Sequence, residues 1–155
     1  MINSEKKHHI GYITNGINLD HIPCGNAWYI IKILHLQGKQ NQIGVGLNLP
    51  SKKLGLKDLI KIENRTLTED EIDAISLFCV DASLSVIQDF AVIKKHTIEL
   101  PPLIQNIIIC PNGRCISHKH ISKFITTTNR HNKINVTCHY CEQIFFLEEI
   151  KSYNI

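Results

Sequence analysis

The sequence predicts an α+β protein in two parts: a β-α-β-β-α-β sandwich over residues 1–100 and a small all-β lobe over residues 101–155. Three observations predict it. Two amphipathic helical stretches enclose a pair of strand-like runs. Adjacent prolines at 101 and 102 remove two backbone donors and favour a short extended connector. Beyond them, four cysteines fall in two turn-centred pairs, with no helical pattern before the last ten residues.

A strand-like run at residues 9–19 opens the chain. Pro23 and Asn26 then precede Ala27, Ile30, Ile31 and Leu34, apolar at i, i+3, i+4 and i+7, with Gly38 as a stop signal. Strand-like runs follow at 42–47 and 58–63. Thr68-Glu69-Asp70-Glu71 is a capping box with acid at the positive end of the helix dipole, and Ile72, Ile75 and Phe78 or Cys79 carry that helix inward. The runs 84–89 and 90–95 are β-branched and alternate. This order is that of the split βαβ, ferredoxin-like sandwich, with room for one extra strand.

Composition excludes several classes. The 155 residues carry 43% hydrophobic side chains and a net charge of +3, enough apolar mass for a core and too mild a charge to demand nucleic acid. No apolar run approaches the ~20 residues of a membrane span, and the first nine residues have no apolar h-region, so a secretory signal is not expected. Residues 1–100 are neutral, so the whole excess of positive charge lies in the last third.

Cys110 and Cys115 bracket Pro111, Asn112 and Gly113; after 22 residues come Cys138 and Cys141. Close spacing within each pair aims two sulfurs at one point, and the long insert lets two turns close a tetrahedron, the pattern of Zn²⁺ held by four thiolates. Such a site has no open coordination position and is structural. Buried free thiols and disulfides are the other readings; disulfides need an oxidising compartment, to which nothing here points. His118, His120, His131 and His139 are alternative ligands, unneeded once four sulfurs are placed. Cys24 and Cys79 flank apolar stretches and read as buried, inert thiols.

No catalytic motif occurs, and Gly44-Val45-Gly46 lacks the remainder of a dinucleotide fingerprint. Asp20 and His21 suggest a relay, but neighbours on an extended chain point to opposite faces. On a strand, Lys57, Leu59 and Lys61 share one face, and Lys95 ends the last run; lysines beside Asp20 suit a ribose and triphosphate. Solvated strand-end charge is the plainer reading. A zinc-ribbon nucleic-acid binder using Arg114, Lys119, Lys123, Arg130 and Lys133 is the alternative. Four thiolates and Zn²⁺ would leave a net charge of about +1, a poor trap for phosphates.

Residues 19–23 (LDHIP), 46–51 (GLNLPS), 57–64 (KDLIKIEN), 110–118 (CPNGRCISH) and 138–142 (CHYCE), in this order, resemble the aspartate carbamoyltransferase regulatory chain. The resemblance implies a non-catalytic, cytoplasmic subunit of pyrimidine biosynthesis. Its allosteric domain would bind CTP and UTP as inhibitors and ATP as activator, with Mg²⁺ where two nucleotides pair. Its zinc domain would dock on the catalytic chain, and regulatory homodimers would bridge catalytic trimers. By the same resemblance, Ile13, Asp20, His21, Lys57, Lys61, Ile87, Phe90, Val92 and Lys95 match nucleotide-binding positions. Cys110, Cys115, Cys138 and Cys141 match the metal ligands, and Asn112, Arg114, His139 and Glu142 match contacts with the catalytic chain. Phe90 replaces the usual Tyr, Ser85 the usual Asn, and Gly11 a Glu carried by some members; Arg114 and His139 also differ from the commonest residues.

Overall fold

Residues 11–154 are described by a computed structural model. The first lobe comprises β1 (Gly16–Pro23), α1 (Ala27–Ile33), β2 (Ile43–Ser51), β3 (Gly55–Glu63), α2 (Glu69–Ser76), β4 (Ser83–Gln88) and β5 (Ala91–Thr97). Its strands form one antiparallel sheet in the order β2-β3-β1-β4-β5, the split βαβ arrangement with β5 added at the edge. Alternation decides which face is covered. Ile17, Leu19 and Ile22 of β1, Ile60 and Ile62 of β3 and Leu84 of β4 are buried in one cluster with Ala27 and Ile30 of α1 and Ala74 and Ile75 of α2. Among the described residues no helix lies over the opposite face, which bears Asn18, Asp20, Lys61 and Ser85.

Several boundaries move from their sequence expectation. The first strand begins at Gly16 and runs on to Pro23; residues 9 and 10 lie outside the described part, and 11–15 are not strand. Asn15 Oδ1 instead accepts from Asp89 N–H and the Thr14 carbonyl from Phe90 N–H, so this segment leans on the β4–β5 turn. That turn occupies Asp89 and Phe90, both at positive φ (49° and 63°), which takes them out of the strands expected at 84–89 and 90–95. The Asn26 side chain does not cap α1 but donates to the Phe78 carbonyl at 2.7 Å. α1 stops before Gly38 because His35 adopts φ 48°. The capping box of α2 forms as expected: Glu71 N–H donates to Thr68 Oγ1 at 3.2 Å and Thr68 N–H to Glu71 Oε2 at 3.0 Å. Phe78 and Cys79 lie past its end, yet both are buried.

Beyond Pro102, β6 (Leu103–Gln105), β7 (Lys123–Thr128), β8 (Ile134–Cys138) and β9 (Ile144–Phe146) form a second antiparallel sheet in that order. Ile104, Phe124 and Val136 are fully buried at its centre. Short 3₁₀ turns at Ile116–Lys119 and Leu147–Glu149 are the helical pieces of this lobe. Segment 107–109 pairs with 152–154, through Ile109 N–H to the Ser152 carbonyl and Asn154 N–H to the Ile107 carbonyl. Tyr153 is thereby set edge-on to Phe78 (5.8 Å), which stacks on Tyr29 (4.7 Å), so one apolar cluster runs through both lobes. No helix among the described residues is long and apolar enough to cross a membrane.

Candidate functional site

The four sulfurs of Cys110, Cys115, Cys138 and Cys141 lie within 4.8 Å of one another. The first pair brackets a tight turn, Cys138 ends β8, and Cys141 closes the turn into β9. Cys110–Cys141 and Cys115–Cys138 are 3.8 Å and 3.7 Å apart. A disulfide would need about 2.05 Å, whereas a tetrahedron with metal–sulfur bonds of about 2.3 Å has edges of about 3.8 Å. The donor set therefore fits a thiophilic ion such as zinc in a closed, structural site. Burial pushes the Cys110 thiol up to about 12. At Cys115 burial acts in the same direction, but hydrogen bonding at Ser117 and from the Cys138 and Cys141 thiols outweighs it and brings the value to about 7. Metal binding must displace the remaining protons. The histidines stand aside: His118 Nε2 bonds to the Asn112 carbonyl at 2.9 Å, and the rings of His120 and His139 pack on Tyr140.

Cys79 is buried, and burial pushes its thiol up to about 12, as befits an inert core group. Cys24 departs from its expectation. It is exposed, in the turn after β1, with its thiol donating to Asn48 Oδ1 at 2.7 Å.

On the open face of the first sheet, one rung crosses all five strands: Gly44 opposite Lys61, Lys61 opposite Asn18, Asn18 opposite Ser85, and Ser85 opposite Lys95. Directly opposed residues share a face, so Lys61 and Lys95 flank the short side chains of Asn18 and Ser85. An amide thus stands in this rung on β1, across from Ser85. Lys61 Nζ donates to the Gly11 carbonyl at 3.2 Å and lies 5.9 Å from the Tyr12 ring centre, and Ile13 is buried nearby in sequence. On one side of the rung Gly16 opposes Ile87, which opposes Val92; on the other lies Asp20. Phe90, Val92 and Lys95 are exposed at the β5 edge.

A bulge shapes the Asp20 end. Asp20 and His21 together face Leu59 alone, and His21 takes φ 60°. The bulge overturns the expectation that these two side chains diverge: His21 N–H donates to Asp20 Oδ1 at 2.6 Å, and its ring Nδ1 lies 3.8 Å from that oxygen. Lys57 Nζ sits 2.8 Å from the same carboxylate. Burial alone would raise the pKa of Asp20, but the Lys57 ammonium and the His21 N–H outweigh it and hold the carboxyl below its ordinary value.

Asp58, whose role the sequence pattern does not disclose, fixes this corner. Fully buried on β3, it accepts N–H groups from Gly25 (2.8 Å), Ala27 (3.3 Å) and Asn48 (3.1 Å). It joins the first residue of α1 to a second bulge, where Leu47 and Asn48 face Asp58 alone. The only advance signal is an acid directly before the apolar pair Leu59-Ile60 in a strand. A cavity of about 610 Å³ lies elsewhere, between the lobes beside Tyr29, Phe78, Asp81, Lys133 and Tyr153. The lysine-bearing face is a shelf. At the metal turns, Arg114, His139 and Glu142 are exposed and Asn112 half-buried, its Oδ1 accepting from Arg114 N–H at 3.1 Å.

Two family models match the chain: the allosteric domain of the aspartate carbamoyltransferase regulatory chain over residues 8–99, and the metal binding domain of the same chain over 102–151. The chain belongs to the aspartate carbamoyltransferase regulatory chain family. Relatives carrying that name include one from Tolumonas auensis, 43% identical over 147 residues (94% of this chain, 96% of the relative). Another, from Aeromonas hydrophila, is 42% identical over 134 residues (86% and 87%), and one from Escherichia coli is 38% identical over 142 (91% and 93%). Membership makes this a non-catalytic chain with an allosteric and a metal-binding domain, and implies a catalytic-chain partner.

Proposed function

We propose that the chain senses nucleoside triphosphates on the open face of its first sheet and passes their effect to aspartate carbamoyltransferase catalytic chains through the metal-clasped lobe. Ile13, Asp20, His21, Lys57, Lys61, Ile87, Phe90, Val92 and Lys95 form the nucleotide face for CTP, UTP and ATP, with Mg²⁺ as counter-ion. Asn112, Arg114, His139 and Glu142, exposed or half-buried around the thiolate turns, meet the catalytic chain. A homodimer of regulatory chains links catalytic trimers in the cytoplasm, and zinc is the metal. Residues 1–100 serve as the sensing domain and 101–155 as the docking domain.

The observation that carries this reading is the rung placing Lys61 and Lys95 on the sheet face opposite the two described helices, with a carboxylate held ionised one step away. Ammonium groups suit phosphates and a carboxylate suits ribose hydroxyls. Nucleotide shifts the balance between two arrangements of the assembly by binding one better, a coupling of typically about 1–3 kcal/mol. Lys95→Ala should weaken CTP, UTP and ATP binding by calorimetry while association with catalytic trimers is kept. Cys110→Ser should abolish that association through metal loss. Unchanged nucleotide affinity in Lys95→Ala would overturn the nucleotide assignment.

A further inference from the structure

Cys115 caps the 3₁₀ turn at Ile116–Lys119 as well as offering its sulfur to the metal. Its Sγ accepts the Ser117 N–H at 3.5 Å, where a capping residue ordinarily presents oxygen. The turn is held at both ends: His118 N–H donates to the Cys115 carbonyl, and His120 N–H to the Ser117 carbonyl. The His118 ring adds a bond to the Asn112 carbonyl at 2.9 Å. The Ser117 main chain is thereby fixed, and its side chain is fixed with it against the metal turns.

Ser117 is only 4% exposed, and its Oγ is buried with no nitrogen or oxygen to bond. A buried hydroxyl in that condition is a standing cost, which alanine would not incur. What the hydroxyl does have within reach is the Cys115 sulfur. A neutral thiol is a weak acceptor, whereas a thiolate is a strong one. Four thiolates around a divalent ion leave an excess of negative charge in a closed site, so each donor aimed at a sulfur offsets it. Main-chain N–H groups do this for two other ligands: Asn112 for Cys110, and Tyr140 and Cys141 for Cys138. Those donors come with any side chain. The Ser117 hydroxyl is a choice of sequence.

We infer that Ser117 is a positioning residue of the metal centre, its hydroxyl donating to the Cys115 thiolate and tightening the hold on the ion. The hydroxyl gains its partner in full when that sulfur is ionised, so it favours the metal-bound lobe over the metal-free one. The inference rests on the metal reading of the four sulfurs and adds a residue outside the ligand set.

The test uses the full chain, unaltered and as Ser117→Ala, Ser117→Thr and Ser122→Ala, loaded with Zn²⁺ or Co²⁺. Ser122 is the control: it too is 4% exposed with an unpartnered hydroxyl, and it serves none of Cys110, Cys115 and Cys138. In competition with a chromophoric chelator, Ser117→Ala should bind Zn²⁺ about ten-fold more weakly. The sulfur-to-metal charge-transfer band of its Co²⁺ form should move to lower energy, because a thiolate without that bond gives up electron density more readily. Ser117→Thr keeps the hydroxyl and should match the unaltered chain in both readouts, as should Ser122→Ala. An unchanged Zn²⁺ affinity in Ser117→Ala, a weaker affinity with an unmoved band, or an equal loss in Ser117→Thr or Ser122→Ala would overturn the inference while leaving the metal reading intact. Should Ser117→Ala fail to fold, Ser117→Thr against Ser117→Val makes the same comparison at one shape, and equal affinities there would overturn it. If the unaltered chain takes up neither ion, both readings fall.

Discussion

Asp58→Ala removes an acceptor shared by three main-chain N–H groups, and their surroundings set the size of the effect. Gly25 and Asn48 are exposed, so their N–H groups find water once the carboxylate is gone. Ala27 is fully buried, and its N–H, which opens α1, is left without a partner. A stranded buried donor costs about 1–3 kcal/mol, and each bond to a charged acceptor exchanged for water about 1 kcal/mol more. Relief from burying a carboxylate offsets part of this. The expected loss is about 2–4 kcal/mol, large against the usual 5–15 kcal/mol stability of a folded chain. Urea unfolding followed by fluorescence reads it directly, because the single tryptophan, Trp28, is the second residue of α1. Amide exchange at Ala27 and Asn48 should accelerate, while bound metal stays unchanged. A loss below about 1 kcal/mol, or unaltered exchange at Ala27, would refute the claim that this carboxylate ties the helix start to the β2 bulge.

Two other outcomes follow from the sites. Stripping the metal with a chelator, or Cys115→Ser, should unfold the second lobe first, since binding to four thiolates supplies on the order of 10 kcal/mol of folding free energy; elemental analysis and near-UV circular dichroism would read the loss together. Asp20 gives a pH dependence. Its folded pKa lies below the ordinary 3.8, so its contribution is fully present above that value and is lost as pH falls through the lower folded one. Asp20→Asn should therefore be less stable than the unaltered chain at neutral pH, with the gap closing in acid. A gap constant from pH 7 to pH 2 in urea titrations would remove the Lys57 pairing as a source of stability.

Where local chemistry decides, the sequence is readable. The α2 capping box needs only residues 68–71 and forms as written. The two cysteine pairs each belong to one short turn, and the closure between them follows from the hairpins they end. What resists reading depends on register. The bulges at Asp20–His21 and Leu47–Asn48 put non-glycine residues at positive φ; Asn and His tolerate it better than most side chains, but their identity alone does not fix where in a strand the register slips. Those bulges rotate His21 back onto Asp20 and bring Asn48 to the Cys24 thiol, which is why an alternating strand and a buried thiol were the natural but mistaken expectations. Ile13 is buried without being in a strand, because residues 11–15 run beside the sheet rather than within it. Asp58 acquires its role only from residues on other strands and α1, which no window of sequence displays.

The closeness of the four sulfurs has a chemical corollary. With an ion between them, sulfurs 3.7–3.8 Å apart share their charge with it and are shielded from attack. Should an oxidant withdraw two electrons from Cys115 and Cys138, those atoms need approach by less than 2 Å to join, and the ion would lose half its ligands at once. The clasp that confers rigidity under reducing conditions is, for the same geometric reason, the point at which oxidative stress would take the molecule apart.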